Sequence, residues 1–180
     1  MKPPHLIEAQ KVVDGLVKEL VPEEYRPQKY IPENIPPVVT NISIIEKESF
    51  LEMISNGGPL LNVDPERTFG LQINWGILRE RARVPGFERW NKSHAVFLRE
   101  DLIKIPGTMQ LSFVILHEVG HVAWHLKRDG SLSMWEEEDE ELYCDIFAYE
   151  QLKAVRGEDV AYLILQLCGS ADGWNREGAP

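Results

Sequence analysis

The chain has 180 residues, 43% hydrophobic and 27% charged, which suits one globular domain able to bury a core without staples. Its formal charge of −10 repels phosphate backbones, so nucleic acid is not expected as a direct partner. The two cysteines, Cys144 and Cys168, form no C-x-x-C pair, no stretch reads as a secretory signal, and none reaches the roughly 20 apolar residues of a membrane span; a cytoplasmic protein with no membrane partner is expected.

Residues 5–20 carry Leu6, Ile7, Val12, Val13, Leu16 and Leu20, mostly three or four apart, and predict an amphipathic helix. The stretch "VPEEYRPQKYIPENIPP" follows. Five of the twelve prolines fall in it, so it reads as an extended linker or wrapping arm. "VVTNISII" predicts a strand, and "EKESFLEMISNGG" a short helix ended by Gly57 and Gly58. "RTFGLQINW" and "SHAVFLRE" carry the β-branched and aromatic residues of two more strands, with the basic "RERARVPGFERWN" between them. A long helix is predicted from near Pro106 or Thr108 to Gly130, a second from about Trp135 to Val155, and a last over "EDVAYLILQLC". A few strands followed by helices predict an α+β fold, a small sheet of about three strands packed on helices. The organisation read from this is a single domain over 1–180: helix 1–20, proline-rich arm 21–38, body 39–168 and tail 169–180.

Three of the five histidines stand four residues apart in "HEVGHVAWH". His117-Glu118-Val119-Gly120-His121 fits H-E-x-x-H, a pattern with a mechanical reading. On a helix both imidazoles share one face and can grip one ion. Glu118 lies about 100° further round, within reach of a water on that ion. Zinc ligation by His117 and His121 with Glu118 as base is therefore the expected chemistry. The competing reading is a pair of partly buried helix histidines with ordinary hydrogen bonds. His125 lies about 12 Å along the axis from His117, too far to share the ion. A His121–His125 pair would put Val122 at the base position, and valine takes no proton. His125 is thus expected to support or pack rather than ligate. Gly120, unfavourable in a helix by about 1 kcal/mol relative to Ala, marks a close approach by a backbone or ligand.

Catalytic zinc takes three protein ligands and keeps one open position. The third is expected from "MWEEEDEELYCDIFAYEQL", where six acids run from Glu136 to Glu141. Leu142, Ile146, Tyr149 and Leu152 read as the apolar stripe of that helix, with Cys144, Phe147 and Ala148 beside it. Glu141 and Asp145 flank the stripe, so Glu141 is the first choice for the ligand and Asp145 for the acceptor of a ligating histidine's free N–H. Glu137 and Glu138 remain alternatives, and the rest of the run suits a solvated helix start. Cys144 reads as a small buried thiol rather than a ligand.

Taken together, "HEVGH" followed by "ELYCD" resembles the thermolysin-like gluzincin pattern, H-E-x-x-H then E-x-x-x-D. The fuller likeness is to the ImmA/IrrE metallopeptidases, carried by "HEVGHVAWH" and "ELYCDIFAYEQL" and covering about residues 68–155. Cys144, usually alanine, and Tyr143, often acidic, depart from that pattern, and residues 1–60 match no part of it. The resemblance implies a small α+β zinc endopeptidase with ligands His117, His121 and Glu141 and base Glu118. It also implies a protein substrate, a DNA-binding transcriptional repressor.

A peptidase needs a group to steady the oxyanion on the attacked carbonyl. His94 is the candidate, at the start of a strand read as a sheet edge that can receive substrate by β-addition. The plain alternative is a surface histidine at a strand end. Tyr143 falls nearly on the opposite helix face from Glu141. Two other functions compete with the peptidase: a zinc-fold regulatory protein that docks with little or no hydrolysis, and a protease acting at DNA crosslinks. Glu118 between the ligands weighs against the first and the acidic balance against the second.

Overall fold

The computed structural model describes residues 3–29, 36–57, 68–83, 85–90, 92–104, 108–127 and 137–168. Gly130, Trp135 and the tail 169–180 lie outside them, as does most of the arm's second half. The described elements are α1 (Pro4–Leu20), β1 (Val39–Ile45), α2 (Lys47–Gly57), β2 (Gly70–Asn74), α3 (Trp75–Arg81), β3 (His94–Arg99), α4 (Met109–Lys127), α5 (Glu137–Arg156) and α6 (Glu158–Cys168). This is an α+β architecture, a three-stranded mixed sheet with six helices among the described residues. Among them, no helix is long and apolar enough to cross a membrane.

The sheet order is β1-β3-β2, with β3 parallel to β1 and antiparallel to β2. That corrects the expectation that the His94 strand is a sheet edge: β3 is central, and the edges are β1 and β2. The reason shows in its burial. His94, Ala95, Val96, Leu98 and Arg99 are all buried, and a strand covered on both faces belongs between neighbours.

One sheet face, with Ile42, Ile44, Val96 and Leu98, meets α4, α1 and the later helices in the main core. The other face carries Leu71, Ile73 and Phe97 and packs on Phe50 and Ile54 of α2. α4 supplies Leu111, Phe113, Ile115, Leu116, Val119 and Val122 to the main core. Each such side chain contributes about 1.5–3 kcal/mol when fully buried.

The N-terminal helix is part of this body. Leu6, Ala9, Val13, Leu16, Val17 and Leu20 are its buried face, while Ile7 and Val12 are 45% and 40% exposed. Gln10 explains how α1 sits against the sheet edge. Its side-chain amide donates to the Ile42 carbonyl and accepts the Ile44 N–H, occupying backbone groups that β1 would otherwise leave open. The first part of the proline-rich arm is not wholly extended. Glu23–Tyr25 forms a 3-10 turn, and Tyr25 packs edge-on against Phe147 of α5. The basic segment between β2 and β3, for which no element was expected, holds α3 and a 3-10 turn at Phe87–Trp90.

Candidate metal centre

The site is built where α4 and α5 cross. A Cβ on Gly120 would stand 2.8 Å from the Cα of Cys144, so the two helices approach backbone to backbone at that point. The close approach carries α5 carboxylates over the α4 histidines. α5 does this with an unexpected face. Cys144, Asp145, Ala148, Tyr149 and Leu152 are buried, whereas Leu142 is 39% exposed and Ile146 half-buried. The expected stripe through Leu142 and Ile146 is therefore wrong for the first half of the helix. Polar and small residues take the inward positions there, facing the α4 histidines.

Glu141 lies on that inward edge with both imidazoles. Its Oε2 is 3.1 Å from His117 Nε2, and its Oε1 is 3.6 Å from His121 Nε2. The opposite ring nitrogens are held separately: His117 Nδ1 donates to Asp145 at 2.9 Å and His121 Nδ1 to Glu140 at 2.8 Å. Both histidines thus turn Nε2 to one carboxylate and Nδ1 to another. When a ring is neutral, its Nδ1 bond fixes the tautomer that leaves the Nε2 lone pair for an ion. Asp145 is fully buried, in keeping with a purely internal role.

Glu118, the residue between the histidines, is 8% exposed. Its carboxylate accepts the backbone N–H of Gln72 on β2. Burial pushes its pKa up, and the positive charge of His121 and His117 only partly opposes this. Gly70 explains how a carboxylate fits against the strand. A Cβ there would come within 2.6 Å of Glu118 Oε1 and 2.7 Å of its Cγ. His117 shows the opposite balance. Burial disfavours its charge, but hydrogen bonds to Asp145 and Glu141, with Glu118 nearby, raise its pKa to about 10. Glu141 is held below the ordinary carboxylate range, chiefly by the hydrogen bond from His117.

His117, His121 and Cys144 form a group that could hold a metal ion, their ligand atoms all within 4.8 Å of one another. Two third ligands are thus in reach, Cys144 and Glu141. Ligand atoms about 2.1 Å from a tetrahedral zinc stand about 3.4 Å apart, and the contacts of Glu141 bracket that spacing. A thiol must ionise to ligate. Burial and the charges of Glu141, Glu118, Glu140 and Asp145 all drive the Cys144 pKa far upward. Two imidazoles and a carboxylate are a donor set suited to zinc. The side chains of Glu137 and Glu138 lie outside the described residues.

His125 Nε2 is 3.5 Å from Glu140 Oε1. His94 is fully buried, which corrects the alternative of a surface histidine and leaves no access for a substrate carbonyl. Its Nδ1 accepts from the Gln72 side-chain amide, and its Nε2 has no hydrogen-bond partner. An unpaired buried donor costs about 1–3 kcal/mol, so stability alone does not account for a histidine there.

Sequence reasoning overlooked three residues of the site. Glu140 was assigned to the solvated helix start, although it stands four before Cys144, on the inward side. Gly70 carried the signal of a lone glycine inside a strand, which marks close approach. Gln72 carried none. No protein-family model, curated protein or solved structure matches this chain.

Proposed function

We propose that the chain is a zinc-dependent endopeptidase of the H-E-x-x-H type, which hydrolyses a peptide bond in a protein substrate. The observation that carries this reading is the convergence of His117 Nε2, His121 Nε2 and the Glu141 carboxylate beside a buried Glu118. His117, His121 and Glu141 would hold the ion and leave a position open. When bound there, zinc supplies a Lewis acid that polarises water and the scissile carbonyl.

The chain's own residues do the rest. Glu118 takes the proton of the attacking water and returns it to the departing amine nitrogen. Burial suits it to both, because a raised carboxyl pKa lies nearer the working pH of an acid–base catalyst. Asp145 and Glu140 keep the two rings oriented. Strand β2 is a sheet edge that packs along α4, and the Gln72 N–H points from it to Glu118. An extended substrate segment adding to β2 would bring its backbone past the base. The resemblance to ImmA/IrrE peptidases makes a DNA-binding repressor the substrate to try first.

The test is digestion of such repressors by the zinc-loaded protein, with new termini read by mass spectrometry. Cleavage that stops on chelation and in Glu118→Gln, with zinc retained, supports the peptidase. A biological effect that survives Glu118→Gln unchanged supports the docking protein instead.

A further inference from the structure

His125, the third histidine of α4, has its Nε2 3.5 Å from the same Glu140 oxygen that accepts from His121 Nδ1. Its ring stacks on that of His94, with centroids 5.8 Å apart and planes 18° apart. His94 Nδ1 accepts from the Gln72 side chain, and the Gln72 backbone N–H reaches Glu118. Contacts therefore run unbroken from His121 through Glu140, His125, His94 and Gln72 to Glu118. They join α4, α5, β3 and β2 in one circuit around the site.

Burial and the adjacent His125 push the His94 pKa down to about 3. The ring is neutral at working pH, and its Nδ1 lone pair stays open to the Gln72 amide. A phenylalanine could stack on His125 as well, but it would leave the Gln72 amide without its acceptor. What only the histidine supplies is the acceptor for Gln72.

We infer that His125 and His94 are positioning residues, bracing His121 through Glu140 and Glu118 through Gln72, so that ligand and base keep their spacing. The inference rests on the reading of the site as a hydrolytic zinc centre. Neither residue touches substrate.

The test compares the full chain with His94→Phe, His94→Asn and His125→Leu. In His94→Phe, kcat on a cleaved protein should fall roughly tenfold or more, as misplacement of catalytic groups costs. KM and zinc content should hold. His94→Asn, whose Oδ1 stands near the place of Nδ1, should recover most of the loss. In His125→Leu the zinc affinity should weaken roughly tenfold, the scale seen when an outer partner of a ligand is lost.

A kcat within twofold of wild type in His94→Phe overturns the inference. So does a loss that follows Tm and that His94→Asn fails to recover, since packing would then explain it. If the wild-type chain cleaves nothing, the peptidase reading fails by itself. The zinc affinity of His125→Leu then decides: tenfold weakening upholds the brace on His121, and an unchanged value removes it.

Discussion

Glu118 and Gly70 show how much of the site depends on single atoms. The carboxylate of Glu118 lies where a strand side chain would otherwise be, and Gly70 provides the space. Gly70→Ala should therefore displace the proposed base without touching a proposed metal ligand. We expect its kcat to fall by about 10²-fold, the scale of a misplaced catalytic group, with about one zinc per chain retained. Parallel metal analysis and peptidase assays check this, and loss of zinc together with activity would contradict it. Glu118→Gln keeps the shape and removes the proton acceptor. Its kcat should fall about 10²- to 10⁴-fold, with zinc affinity unchanged by calorimetry. At this scale the sequence was most legible where spacing encodes geometry. His117, Glu118 and His121 share one helix, so their relation follows from helical pitch alone. Glu140, Gly70 and Gln72 meet that helix only through tertiary packing, and no local spacing reports such contacts.

Elements follow the same division. The α5 stripe was predicted from apolar periodicity, yet its buried face runs through Cys144, Asp145 and Ala148. Periodicity assumes that inward means apolar, and a polar site turns that assumption around. Likewise the central place of β3 depends on pairing between segments far apart in sequence. The other described helices were legible, α6 to the residue, since capping and 3.6-residue repeats are local, but α3 was not. The crossing of α4 and α5 yields a prediction of its own. Gly120→Ala gains helix propensity of about 1 kcal/mol, but its Cβ meets the Cys144 backbone, and overpacking of this kind typically costs about 1–3 kcal/mol. We expect net destabilisation in urea titration and weakened zinc affinity, as α5 is pushed off the histidines. A variant as stable as wild type, with intact zinc binding, would show that the helices separate without harm.

At the scale of the whole molecule, the excess of acid over base bears on metal and proton together. In the metal-free chain His117 has its pKa raised to about 10, from an ordinary value of about 6.5. A group raised on folding contributes stability that is complete below its unfolded pKa and fades as pH rises through its folded one. The metal-free protein should thus lose stability between about pH 6.5 and 10, as measured by urea unfolding across that window. A profile flat through it would show that His117 is not charged in the folded chain. Zinc needs the neutral ring, so its binding below pH 10 should release protons, and its apparent affinity should rise with pH.

The most direct test of the account is the zinc content of the purified chain beside Glu141→Ala and Cys144→Ala. The account predicts about one tightly held zinc in the wild type and in Cys144→Ala, and most of it lost in Glu141→Ala. A wild type that takes up no zinc, or a Glu141→Ala variant that keeps all of it while Cys144→Ala does not, would contradict the account.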